Sequence, residues 1–348
     1  MMTTTGNGST KDSEKMWLIR LLSQRSVQVT LTLWVIAYLV VLVVAHGSLP
    51  FVRPALENVS FVEQLIAPTA ELVEVLVLMG VVYWLTWRRA VPDMAARAPD
   101  PTNALREIWL LIAYSVLGQI GGFLIGRAFG WHPFSFHIAG TLYGAPAGGL
   151  PAPVEAFTWA IYNFVVYAVI PYLFFRQHYS AEALNLKSSN RRNDLLVIVV
   201  VLILETLFQL LALSSAILRL TPGQLMLGIP LTFVLYFLGT VLPAMVLIYA
   251  ILVPRLFKLT GSIATTVILG GIAYTLVHGL DAWLAFASPT QAVLSVIFLC
   301  FQYLPPGMFK TFMMLRTGNA WVHVWAYHAL APHTLIDTPL IVKIFGVP

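Results

Sequence analysis

Charge is scarce in this sequence. Only 10% of its 348 residues are Asp, Glu, Lys or Arg, less than half of the ~25% typical of a soluble domain. A water-soluble fold is therefore excluded. Short alternating segments of the kind that build membrane β-barrels, ~10 residues each, are missing too. Cysteine is almost absent. The single Cys300 rules out an intrachain disulfide, and its place in an apolar run predicts a buried, inert thiol. No clean internal repeat is evident. No cleavable signal peptide is expected either, because the first apolar stretch is long and lacks a small-residue cleavage site.

What is present is hydrocarbon: 59% of the residues are hydrophobic and the mean hydropathy is +0.82. Apolar runs of about 20 residues recur from end to end, each long enough to cross a hydrocarbon core of ~30 Å. The expected fold is all-α, a polytopic transmembrane helical bundle of about eight or nine spans. Predicted spans are 28–46, 66–87, 107–126, 156–175, 195–218, 226–253, 262–285, 290–309 and 319–331, with a short apolar tail to Pro348.

The net charge of +5 belongs to loops and does not indicate a nucleic-acid surface. Lys11, Lys15, Arg20 and Arg25 precede the first span. Arg88, Arg89, Arg97 and Arg106 follow the second, and Arg176, Lys187, Arg191 and Arg192 follow the fourth. Arg255 and Lys258 follow the sixth, Lys310 and Arg316 the eighth. This alternation predicts a cytoplasmic N-terminus by the positive-inside rule, in an integral protein of the plasma membrane with the lipid bilayer as its first partner. Loop 127–155, rich in Gly and Pro, is predicted on the outer side. The polar segment 179–194 divides the chain into a cytoplasmic N-terminus (1–27), a four-span bundle (28–178) and a C-terminal membrane core (179–348).

Ionisable residues inside spans are costly and point to function. Glu71 and Glu74 share a helix face but lie near a span end, where a solvated interfacial position is expected. Glu205 sits mid-span, as a structural hydrogen-bonding group or as a carboxylate reaching a cavity. His278 and Asp281 are three apart, Asp281 being either interfacial or an orienting partner for His278. His323, His328 and His333 are spaced by five, which on an ideal α-helix turns each about 140° from the last. They are therefore not expected to form one stripe, and Pro332 argues against an unbroken helix. His132 and His137 in the 127–155 loop can form a metal pair, with ordinary loop histidines as the plainer reading. His278 with one C-terminal histidine is the favoured metal pair.

The segment RTGNAWVHVWAYHAL, Arg316–Leu330, resembles the closing motif of the CPBP intramembrane proteases, which include CAAX prenyl endopeptidases and bacteriocin-processing proteins. His328 and Ala329 match the family's His-Ala, whereas its Asn position falls on Pro332. Tyr274 and His278 form an aromatic variant of its Phe-x-x-x-His. Its Glu-Glu-x-x-x-Arg motif maps to Ala244, Met245 and Tyr249, so all three of its residues are lost, although Arg255-Leu256 fits the surroundings. The resemblance covers roughly 179–333. It implies a divergent endopeptidase acting on membrane-associated peptides or proteins, weak or catalytically degenerate. His278 and His328 would be the catalytic or metal-binding residues, with Tyr274, Asp281, His333 and Glu205 as accessories and a divalent metal such as zinc as cofactor. A non-catalytic pseudoprotease that binds membrane partners and a transporter with a histidine-lined path are the alternatives. Alanine and methionine cannot take a proton from water, whose pKa is about 15.7, and loss of a general base typically costs about 10²–10⁴-fold.

Overall fold

The structure, a computed structural model, describes residues 20–51, 60–143, 149–212 and 216–348. Among these residues the chain is all helix and connecting loop, with no strand. We number the helices α1 Arg25–Val44, α2 Phe61–Thr86, α3 Pro101–Phe129, α4 Ile138–Tyr143, α5 Pro153–Arg176, α6 Arg191–Ala212, α7 Pro222–Thr260, α8 Ile263–Leu276, α9 Pro289–Thr317 and α10, residues 320–345. Seven of them (α1, α2, α3, α5, α6, α7 and α9) are long and apolar enough to cross a membrane. Exposed Leu, Val, Ile, Phe and Trp cover their outer surfaces, as lipid-facing helices require. The chain therefore reads as an integral membrane protein.

Local chemistry sets the helix ends. Ser60 and Glu63 form a reciprocal capping box on α2, and Thr221 with Gln224 does the same for α7. Asp100 caps α3 just ahead of Pro101. The backbone and side chain of Asn103 hold the Asp100 carboxyl below its usual range. Gly130, Gly261 and Gly318 end α3, α7 and α9 at φ of +66°, +61° and +61°, a left-handed conformation that glycine adopts without strain.

Four stretches widen from α- to π-helical turns: Phe164–Val169, Phe237–Val241, Met245–Leu252 and Val324–Leu335. The first three each end two residues before a proline (Pro171, Pro243, Pro254), and the fourth contains Pro332. A proline cannot donate to the carbonyl four residues back and its ring clashes there. Shifting the ladder to i→i+5 removes the conflict. The last helix thus passes through Pro332 without a break, contrary to the expectation above.

Two segments at bundle depth are not helical. Residues 131–137 follow α3, dip into the bundle and lead into α4. Phe134, Ser135, Phe136, His137 and Ile138 are all buried. α8 is only 14 residues long, about 21 Å, and gives way to a turn carrying Asp281. Loop backbone at this depth persists only where protein satisfies it. The Asn163 amide donates to the Phe136 and Gly239 carbonyls at 2.8 and 2.9 Å, and the Gln119 amide to the Phe134 carbonyl at 2.8 Å. The two segments also bond each other, Ser135 Oγ donating to Asp281 Oδ1 at 2.9 Å, and Ala282 N–H donates to the carbonyl of Gly140 in α4 at 3.0 Å. Gly140 is obligatory, since a Cβ there would sit 1.9 Å from Asp281 Oδ1. So part of the 127–155 loop is built into the bundle and does not lie outside it.

Several basic residues counted above as loop charges are also interior. Arg255 is fully buried, paired with Glu107 at 2.6 Å and stacked on Phe175 and Tyr179. Arg316 bonds Thr86, Arg89 pairs with Asp194, and Lys310 lies deep in the bundle. α7 and α9 outlast the predicted spans and carry Arg255, Lys310 and Arg316 inward, while Arg89 sits in the turn after α2. Cys300, by contrast, is exposed on α9, because an apolar run in a membrane helix has a lipid face as well as a core face.

Candidate metal centre

Five histidines gather around the junction of the two non-helical segments and α10. His137, His278, His323 and His328 are at most 1% exposed, and His333 is 9% exposed. Ring centroids lie 4.1 Å apart for His137–His278, 5.0 Å for His137–His333, 6.1 Å for His137–His328 and 5.2 Å for His328–His333. One nitrogen from each of His137, His328 and His333 falls within 4.8 Å of the others, so this trio can hold a metal ion. A tetrahedral ion bound at 2.0–2.1 Å sets nitrogens about 3.4 Å apart, a closure within the range of small side-chain rotations.

The five-residue spacing explains why these rings meet. On an α-helix His328 and His333 would diverge, but in the π-helical turns of Val324–Leu335 residues five apart stack along one face. The expectation of different faces is thereby overturned for this pair. His323, at the edge of the π segment, packs 4.1 Å from Tyr249 and 5.8 Å from His328 and does not line the cavity.

Hydrogen bonds fix the rings. His333 Nδ1 donates to Asp337 Oδ2 at 2.9 Å, leaving Nε2 buried without a partner. His278 Nδ1 donates to Asp281 Oδ2 at 3.0 Å, and its Nε2 is likewise unpartnered. This is the carboxylate–histidine arrangement that orients metal ligands. The Tyr274 hydroxyl sits between His328 Nε2 at 3.2 Å and His137 Nε2 at 3.5 Å, and His137 Nδ1 contacts Thr240 Oγ1 at 3.4 Å. Asp281 is no interfacial residue. It is 2% exposed and accepts from Ser135 Oγ, His278, Trp283 Nε1 and Tyr303 OH at 2.8–3.2 Å. The His278 ring stacks on Tyr303 at 3.5 Å.

The histidines open onto a cavity of about 370 Å³, within the range of small-ligand sites. Glu71, Glu74 and Lys310 line it as well, so Glu71 and Glu74 face the interior and not interfacial solvent. Lys310 Nζ lies 3.6 Å over the Tyr274 ring, with Glu71 and Glu205 as acidic neighbours. Glu205 bonds Gln209 at 2.7 Å, and Gln209 reaches the wall of the cavity.

Of the residues singled out from sequence, Tyr274, His278, His328 and His333 line this cavity, Asp281 braces it, and Glu205 stands one residue behind it. His278 touches His137 but is not one of the trio. Ala244, Met245 and Tyr249 are buried in α7 and none lines the cavity. His132 pairs with Glu155 and the Gly149 carbonyl, so it forms no metal pair with His137. His137 was expected to pair with His132 and Lys310 to be a loop charge, so the sequence put both in the wrong setting, and Asp337, the partner of His333, did not stand out in it. No charged residue lies between Arg127 and Glu155, and a short uncharged, apolar stretch is itself a signal of a re-entrant segment.

Comparison with protein-family models, curated proteins and solved structures finds no match to this chain.

Proposed function

We propose that this protein is a metal-dependent intramembrane hydrolase, an endopeptidase acting on membrane-associated peptides, as the resemblance to the CPBP proteases implies. One observation carries the reading: three imidazoles converge on a cavity that Glu71, Glu74 and Lys310 also line. Zinc would suit the donor set, since three protein ligands such as neutral imidazoles are what its catalytic sites take. When bound, it supplies the Lewis acidity that activates water near neutral pH. His137, His328 and His333 would hold the ion. Asp337 and Thr240 orient His333 and His137. Glu71 or Glu74 takes the proton from water and replaces the carboxylates missing at Ala244 and Met245. The Lys310 ammonium and the Tyr274 hydroxyl polarise the scissile carbonyl. In this reading the N-terminus is cytoplasmic and the bilayer is the plasma membrane, as the alternation of basic loops implies.

The test is cleavage of a labelled membrane peptide in proteoliposomes, with zinc content measured on the same samples. The native chain is expected to bind one zinc and to cleave. His328→Ala should lose both, and Glu71→Gln with Glu74→Gln should keep the zinc and lose cleavage. Zinc bound without cleavage in the native chain would leave a non-catalytic binding protein, and no zinc would end the metal reading.

A further inference from the structure

α2 and α6 pack against each other over only part of their length. Val75, Leu78 and Val82 of α2 join Val197 and Val201 of α6 in one hydrophobic cluster. This cluster lies toward the end of the bundle that carries Arg89 and Arg191. At the junction Glu74 and Glu205 stand within hydrogen-bonding reach. Beyond it, among the described residues, both helices border the cavity. Ile66, Ala67 and Ala70 of α2 and Phe208 and Gln209 of α6 line the cavity. Ala70 is exposed and Ile66 is 60% exposed, on a surface that faces acyl chains in a bilayer.

We propose that this stretch of wall is a lateral portal, through which an unwound segment of a membrane-embedded peptide slides from the bilayer to the histidines. The peptide occupant rests on the hydrolase reading. The portal itself rests on the cavity wall that the two helices share and on the exposure of Ile66 and Ala70 beside it. Small side chains at 67 and 70 leave room for a passing chain. The cavity wall then favours a peptide over a lipid tail. Gln302 Oε1 and His278 Nε2 are buried acceptors without partners, and both residues line the cavity. Buried acceptors cost free energy unless a donor reaches them. The N–H groups of an unwound peptide supply donors, and a lipid tail has none.

Two carbodiimides test the route on the native chain in proteoliposomes, with no substrate needed. A protonated carboxyl group adds across the C=N bond to give an O-acylisourea, and the acyl group then shifts to nitrogen. The product is a stable N-acylurea, and no other reactant is consumed. Lipid-soluble dicyclohexylcarbodiimide is expected to modify Glu71 or Glu74, and a water-soluble carbodiimide to modify only surface carboxyls such as Glu63, read by peptide mass spectrometry. Ala67→Trp with Ala70→Trp is expected to remove the lipid-phase labelling while the surface labelling persists. A transmembrane peptide carrying a Gly-Pro break, added to the liposomes, is expected to protect both glutamates. Labelling of Glu71 and Glu74 from water alone, or by neither reagent, would overturn the portal. Full labelling in the presence of the peptide would overturn its occupant. Intact lipid-phase labelling in a chain that binds no zinc would remove the hydrolase reading and leave the portal standing.

Discussion

Replacing Pro332 by alanine restores the backbone donor whose absence suits the wide turns of Val324–Leu335, and it removes the ring that crowds the preceding turn. The segment is then free to relax to α-helical turns. In that geometry His333 rotates about 140° from His328, which at a side-chain radius of about 5–6 Å carries its ring roughly 10 Å around the axis. The trio of nitrogens now lies within 4.8 Å, so a shift of that size takes His333 out of reach of a shared ion. It also breaks the stack of His333 on Tyr236, now 4.8 Å between centroids. Loss of an outer partner alone costs about 10–100-fold in metal affinity, so loss of a ligand is expected to cost at least about 100-fold. Competition against a chelating dye on detergent-purified protein measures this directly, with a melting curve to show that the variant is folded. A folded Pro332→Ala protein with native zinc affinity would refute the link between proline, wide turns and the histidine site.

Asp281→Ala strands four buried donors, those of Ser135, His278, Trp283 and Tyr303. At about 0.6 kcal/mol per bond in membrane bundles, and about 1–3 for a stranded donor in general, the expected loss is of order 2–10 kcal/mol. Denaturant titration in mixed micelles reads it, and a loss under about 1 kcal/mol would show that Asp281 does not join the two non-helical segments. Asp337→Ala should weaken zinc binding about 10–100-fold, because His333 loses the partner that fixes its tautomer; calorimetric titration checks this, and unchanged affinity would remove His333 from the ligand set. Burial, then the bond to Glu107, pushes the Tyr179 phenol, outside the spans, up from 10.0 to about 12. Between those values the unfolded chain gives up its proton while the folded chain keeps it, so stability falls as pH rises. Ultraviolet titration should lose a step near the top of that range in Tyr179→Phe, and melting curves of the variant should depend less on alkaline pH.

The architecture was legible where hydrophobicity decides. Runs such as 28–46 and 107–126 have no folded alternative in water, and each corresponds to a helix, Arg25–Val44 within a few residues of the expected ends and Pro101–Phe129 overrunning both. Their ends were less legible, because Lys310 and Arg316 look like loop charges until α9 is seen to carry them inward to aromatic and hydroxyl partners. His278 and His328 stood out because ionisable groups in apolar runs are rare, and Tyr274 only because Tyr274 with His278 resembles the Phe-x-x-x-His motif. The joining of His328 to His333 was hidden because helix-face arithmetic assumes 3.6 residues per turn, and Pro332 changes the turn. His137 was expected beside His132, and its place among the C-terminal histidines was hidden for a different reason. Loop 127–155 has the composition of an external connection, and only tertiary bonds from Asn163, Gln119 and Asp281 pull part of it into the bundle.

The most direct test is elemental analysis of the protein purified from membranes without chelator. The account predicts about one zinc per chain, lost in His137→Ala, His328→Ala and His333→Ala and retained in His132→Ala, whose imidazole is already engaged by Glu155. A native chain that carries no transition metal and takes none up on dialysis, or a triple-histidine variant that keeps its zinc, would contradict it.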